Sequence, residues 1–208
     1  PAYLIAGVPI KIAAGTNKFA NGCGTALASY KYIVSGNVDW LCAIPAAVGS
    51  LIGSSLGTSA AVYLNEEVLQ TIVLAALPVV AVVLFFARDF GKVEKPPKTR
   101  GQTLLLSLLI GLLIGLYDGL VGPGTGTFLA IGFSLVLGYT LLKSSGCAKI
   151  ANLASNVASM VIFFLDGDLL FSVGIPAMLC SMAGNYVGAR FAIKGGSDKI
   201  RSIMFLVL

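Results

Sequence analysis

Long stretches free of charged residues, separated by short polar punctuation, set the organisation of this chain. Residues 40–65, 68–87 and 169–189 contain no Asp, Glu, Lys or Arg, and each is close to or above the roughly 20 residues that a helix needs to cross about 30 Å of hydrocarbon. Short segments of alternating apolar and polar residues, the mark of membrane barrels, are absent, so the pattern predicts an all-α, polytopic membrane protein. The first helix is expected over residues 16–34, after an apolar stretch at 2–8 that ends at Pro9. A turn at Ser35, Gly36 and Asn37 separates it from a helix over 38–64. That helix carries Gly49, Gly53 and Gly57 on one face, a spacing that lets a neighbouring helix approach closely. Gly184 and Gly188 repeat the face later in the chain and carry the same packing expectation. The third span, 68–87, holds Pro78 in its middle, which predicts a kink. A helix over about 102–118 then meets the run from Gly119 to Thr127, whose four glycines and one proline cannot continue a regular helix. Backbone opened at membrane depth is tolerated only where it lines a cavity or is buried in protein.

The chain also repeats. Displaced by 131 positions without a gap, Gly15, Lys18, Ala20, Asn21, Gly36, Ile44, Pro45, Ala46, Ser50, Gly53, Gly57 and Ala61 fall on identical residues from Gly146 to Ala192, and Leu4 and Gly7 fall on Leu135 and Gly138. Residues 1–90 are therefore expected to form a first repeat, 91–100 a basic cytoplasmic linker and 101–208 a second repeat. In this alignment the first repeat lacks the counterpart of 101–131 and the last helix stops short, so the expectation is a chain truncated at both ends, whose intact form has a glycine-broken segment in each half. The loop after the first glycine-faced helix carries Glu66 and Glu67, while its counterpart carries Arg190, Lys194, Lys199 and Arg201. With basic loops in the cytoplasm, equivalent ends face opposite sides and the repeats are inverted.

Composition agrees with the pattern: 57% of residues are hydrophobic and 11% charged, against roughly 25% charged in an average soluble domain. The net charge of +5 does not point to nucleic acid, because Arg88, Lys92, Lys95, Lys98 and Arg100 cluster in one short stretch that reads as a cytoplasmic loop. Cys23, Cys42, Cys147 and Cys180 form no CxxC pair and do not coincide under the displacement. They read as small buried residues rather than a metal or disulfide framework. The absence of histidine excludes imidazole acid–base work and histidine-held metals. Ser155, Ser159 and the cysteines have no evident base partner, so no catalytic residue and no cofactor is expected.

The candidate chemistry lies in two matching motifs, Gly15-Thr-Asn-Lys-Phe-Ala-Asn21 and Gly146-Cys-Ala-Lys-Ile-Ala-Asn152. Each places a lysine and an asparagine on one helical face near the expected start of a helix. Helix starts present unsatisfied N–H groups and partial positive charge, so an added ammonium and amide make an anion site. The alternative is that each lysine snorkels to the headgroups. Asp118 is the sole acid between Arg100 and Asp166. It is open to three roles: pairing with Lys149, capping the segment after it, or exchanging a proton during transport. The backbone of Gly122, Pro123, Gly124, Thr125, Gly126 and Thr127 offers N–H groups and two hydroxyls to an oxyanion, although the run lacks the terminal Gly-Lys-Ser/Thr of a P-loop.

Tyr117-Asp-Gly-Leu-Val-Gly-Pro-Gly-Thr-Gly-Thr-Phe128, Gly15-Thr-Asn-Lys18 and Lys149-Ile-Ala-Asn-Leu-Ala-Ser-Asn156 resemble the TauE/SafE family of sulfite exporters and related organosulfur-anion transporters. The likeness runs over nearly the whole chain. It implies a bacterial inner-membrane, multi-pass carrier for a small inorganic or organosulfur anion such as sulfite, a sulfonate, sulfoacetate or thiosulfate. The chain departs from the family pattern in lacking the first glycine-rich segment. On this expectation the partners are the anion and the lipid bilayer, with no nucleic acid. Lys18 and Lys149 supply positive charge, Asn17, Asn21, Asn152, Asn156 and Ser155 supply hydrogen bonds, and Gly122, Gly124, Thr125, Gly126 and Thr127 complete the cage. Asp118 serves coupling or holds Lys149. An anion channel and an intramembrane cysteine-based sulfur relay are the competing readings.

Overall fold

The computed structural model describes Tyr3, residues 6–86 and residues 98–206. Most of the basic stretch, Arg88, Lys92 and Lys95 included, lies outside the described residues. Seven helices and no strand occur among the described residues: α1 (Ile10–Val34), α2 (Trp40–Tyr63), α3 (Glu66–Phe86), α4 (Arg100–Leu120), α5 (Thr125–Gly132), α6 (Leu141–Asp166) and α7 (Phe171–Leu206). A turn of π-helix, Phe133–Leu137, extends α5, and α7 bends at Gly196. Helices α2, α4 and α6 are long and apolar enough to cross a membrane.

Helix α1 starts at Ile10, directly after Pro9, and not at Thr16 as expected. Nothing in residues 10–15 breaks a helix, and Gly15 is tolerated within it because it meets the Asp168 carbonyl and the Phe163 ring, leaving no room for a side chain. Helix α6 starts at Leu141, with the Thr140 hydroxyl capping Lys143 N–H. Lys18 and Lys149 therefore both lie more than two turns inside their helices. The argument that a helix start supplies free N–H groups beside them does not hold.

Helices α2 and α4 lock together through glycine on both sides. Gly49, Gly53 and Gly57 face the carbonyls of Leu108, Leu112 and Leu116, while Gly111, Gly115 and Gly119 face the backbone at Ala46, Ser50 and Ser54. At each of these six positions a Cβ would collide with backbone, which is why the small residues recur every turn. Hydroxyls close the seam: Ser50 Oγ donates to Gly111 O at 3.2 Å, and Thr58 Oγ1 lies 3.3 Å from Gly119 O. Gly184 and Gly188 behave differently. Nothing lies within 4 Å of the Cβ positions there, so the packing expected of them is absent and they face open space.

Helix α2 packs on α6 as well as α4, and α1 packs on both α6 and α7. The main core, with Cys42, Ala46, Leu129, Phe133, Cys147 and Ala151, fills the space among α2, α5 and α6. Cys42 and Cys147 are buried as expected, Cys23 is half-buried and Cys180 is exposed, which corrects the reading of all four as buried. Large apolar side chains such as Leu105, Leu113, Val161 and Phe164 face outward, the surface that a hydrocarbon solvent requires. Outside the spans, Asp39 caps α2 at Leu41 N–H (2.9 Å), accepts from the Tyr139 hydroxyl at 2.8 Å and pairs with Lys143 at 3.2 Å. Burial opposes ionisation of Asp39, but the bonds from Tyr139 and Lys143 outweigh it and hold the carboxyl below its usual range.

Candidate functional site

The site grows from the break between α4 and α5. Gly122 and Gly124 take positive φ, 87° and 82°, which suits glycine, and Pro123 between them has no N–H to give. The Tyr117 hydroxyl donates to Pro123 O at 2.7 Å and its ring meets Phe128 edge-on at 5.4 Å. The chain thereby leaves α4 and re-enters a helix at Thr125.

Asp118, one turn before the break, is buried and fully engaged. Its carboxylate pairs with Lys18 Nζ at 2.7 Å, lies 2.6 Å from the Thr125 hydroxyl and accepts a short bond from the Ser155 hydroxyl. Lys18 Nζ also donates to the Asp118 carbonyl at 2.7 Å. With Lys18 and Asp118 only 5% and 3% exposed, each is the counter-charge that makes the other's burial tolerable. The cation that meets Asp118 is thus Lys18 and not Lys149. The carboxylate also reaches the segment after it, through the side chain of Thr125 rather than through a backbone N–H.

A cavity of about 880 Å³ opens beside this pair. Asn17, Lys18, Asn21, Asp118, Gly122, Gly124, Thr125, Gly126, Thr127, Lys149, Asn152 and Asn156 all lie on its wall. Ser155 does not: it is wholly buried and turned onto Asp118, so its place is behind the wall rather than as a direct ligand. Lys149 Nζ donates to Asn185 Oδ1 at 2.9 Å, and among the described residues it pairs with no carboxylate. Asn185 is fixed in turn by donating to Ser181 O at 3.0 Å. The side-chain amides stack in pairs one turn apart, Asn21 donating to Asn17 at 3.1 Å and Asn156 to Asn152 at 3.3 Å. The opening turn of α5, with Gly126 and Thr127 on the wall, adds the partial positive charge of a helix start, while the N–H groups of Thr125 and Thr127 donate to Gly122 O and Gly124 O.

Sequence reasoning missed Asn185, Tyr32, Ser145 and Thr25, which also line the cavity. For Asn185 a signal existed: it is an amide inside a charge-free apolar run, between Gly184 and Gly188, and reading those glycines as a packing face hid it. Among the described residues no group of three or more His, Cys, Asp or Glu could hold a metal. The wall carries two lysines, one carboxylate and several amides among these residues.

Comparison with known proteins fits this geometry. The family model for the sulfite exporter TauE/SafE matches residues 1–208. Similar proteins include a probable membrane transporter protein, ORF9, of a Sinorhizobium species, 33% identical over 100% of this chain and 78% of its own length. A probable membrane transporter protein of Haemophilus influenzae is 32% identical over 100% of this chain and 80% of its own length. The probable membrane transporter protein YfcA of Escherichia coli K12 is 27% identical over 100% of this chain and 76% of its own length. No solved structure matches. The apolar spans and these relatives make this a multi-pass protein of the bacterial inner membrane. A family match from the first residue to the last, with a relative a third identical along the whole chain, places the protein in the TauE/SafE sulfite exporter family of membrane transporters.

Proposed function

We propose that this chain is a secondary transporter that carries a small sulfur-containing anion, such as sulfite, a sulfonate, sulfoacetate or thiosulfate, across the plasma membrane by alternating access. The observation that carries the reading is Lys149, an ammonium on the cavity wall held by a neutral amide and lacking a carboxylate partner among the described residues. An ionisable residue facing a cavity between spans is a functional site by default, because its cost in the membrane is otherwise unrewarded. The amides of Asn21 and Asn152 then orient oxyanion oxygens through N–H donors, while Asn185, which donates to Ser181, positions Lys149.

Alternating access needs two units that can rock against each other, and reciprocal contacts support reading residues 1–90 and 101–208 as inverted repeats joined by a linker at 91–100. Helices α1 and α6 start at equivalent positions, as do α2 and α7. Gly15 meets the Asp168 carbonyl and the Phe163 ring, while its equivalent Gly146 meets the Asn37 carbonyl and the Tyr32 ring. Asn37 and Tyr32 are themselves the equivalents of Asp168 and Phe163, so each contact is returned with the units exchanged. Such reciprocity supports a two-fold relation between the units. None of the four cysteines lies on the cavity wall, which argues against an intramembrane sulfur relay.

The test is thermal stabilisation of the detergent-purified protein by a panel of small anions, with Lys149→Ala alongside. A bound ligand raises stability by about 2.7 kcal/mol at a hundredfold excess over its dissociation constant. Stabilisation by a sulfur anion that disappears in Lys149→Ala is expected; an undiminished shift in the variant would refute the assignment.

A further inference from the structure

We propose that the cavity is built for an anion carrying one negative charge and discriminates against anions carrying two. This rests on the reading of Lys149 as the anion's ligand and narrows it to a chemical class: sulfonates and hydrogensulfite over sulfate, thiosulfate and sulfoacetate.

The argument is a charge count. Among the described residues three charged groups line the cavity: Lys18, Asp118 and Lys149. Two of them cancel. Lys18 spends two of its three donors on Asp118, one on the carboxylate and one on the main-chain carbonyl, each at 2.7 Å. The carboxylate is saturated by the Thr125 and Ser155 hydroxyls on its other sides. The wall is left with a single unbalanced positive charge, on Lys149. The remaining polar partners there are amides and hydroxyls, which orient an oxyanion but add no formal charge.

A singly charged anion beside Lys149 makes the filled cavity neutral. A doubly charged one leaves an excess negative charge within a site that already holds the Asp118 carboxylate and is walled elsewhere by glycine and alanine, including Ala148 and Ala189. An anionic charge left without a second cation, and repelled by the Asp118 carboxylate, is unfavourable beside this wall. Discrimination therefore comes from repulsion as much as attraction. Size cannot supply it, because about 880 Å³ accommodates any of these anions.

Methanesulfonate and sulfate make the test, being both tetrahedral at sulfur, similar in size and different by one charge across the neutral pH range. Their dissociation constants are measured on the purified chain by calorimetry at constant ionic strength. Methanesulfonate is expected to bind at least tenfold more tightly. Asp118→Asn raises the cavity to two positive charges and is expected to shift the ratio at least tenfold toward sulfate. The double variant Lys18→Met with Asp118→Asn restores one positive charge and with it the preference for methanesulfonate. Sulfate binding as tightly as methanesulfonate in the unaltered protein, with Lys149→Ala abolishing both, would overturn the charge count and leave the Lys149 site standing. Binding that survives Lys149→Ala, or no binding of either anion, would overturn both. Should Asp118→Asn fail to fold, the comparison in the unaltered protein decides.

Discussion

Lys18 and Lys149 occupy the same position in helices that start at equivalent residues, yet the fold treats them in opposite ways. Lys18 is buried and consumed by Asp118; Lys149 stands on the cavity wall, held by Asn185. The difference teaches that two lysines in matching sequence motifs need not share a task. One copy joins α1 to α4, and through the hydroxyls of Thr125 and Ser155 to α5 and α6. The other keeps its charge available.

Substitution at the two lysines separates these tasks most sharply. Lys18→Met leaves the Asp118 carboxylate buried without its counter-charge, and is expected to cost about 3–5 kcal/mol of stability. Lys149→Met removes a cation that no carboxylate balances, and is expected to cost under about 1 kcal/mol while erasing stabilisation by anions. Thermal unfolding of both variants in one detergent, with and without anion, checks the pair. Equal losses would break the comparison.

A smaller contrast lies in the equivalent glycines Gly53 and Gly184. A methyl at Gly53 strikes the Leu112 carbonyl, whereas at Gly184 it meets nothing within 4 Å. Gly53→Ala is therefore expected to destabilise by about 1–3 kcal/mol. Gly184→Ala is expected to be neutral or to gain up to about 1 kcal/mol from helix propensity. Melting temperatures of the two single variants decide it.

The smallest effect belongs to Asp39. Its carboxyl is held below the usual range in the folded chain, so its contribution is complete above the ordinary carboxylate pKa and is lost as pH falls through the lower folded value. Since Lys143, its charged partner, is partly exposed, that contribution stays under about 1 kcal/mol. Asp39→Asn should flatten this part of the acid side of the stability profile, as read by unfolding between neutral and strongly acidic pH.

Much of this architecture was legible from residue types alone. The charge-free run over 40–65 anticipated α2 as a span, and the glycine spacing at Gly49, Gly53 and Gly57 anticipated a close neighbour. What stayed hidden was non-local. The partner of Asp118 lies a hundred residues away in sequence, and nothing in the motif around Lys18 or Lys149 tells which of the two it meets. Gly184 carries the same spacing as Gly53, but spacing reports that a close approach is possible, not that a neighbour occupies it. Helix α1 was expected from Thr16 but starts at Ile10, and Gly15 within it is the point where the Asp168 carbonyl presses against the helix. Ser155 was assigned to the anion on the strength of its motif, and only its orientation toward Asp118 reveals a supporting role.

The glycine seam between α2 and α4 has a mechanical consequence. Each helix carries backbone oxygen where the other would need a Cβ, turn after turn, so a slide by one residue drives side chains onto carbonyls along the whole length. The two helices are geared, and any rearrangement moves them as one lever. Ser54 and Thr58 fasten that lever to α6, donating to Ser155 O at 3.1 Å and to the Ser159 hydroxyl at 2.8 Å. The turn at Gly122 and Gly124 leads from that lever into α5, braced by the Tyr117 hydroxyl on Pro123 O.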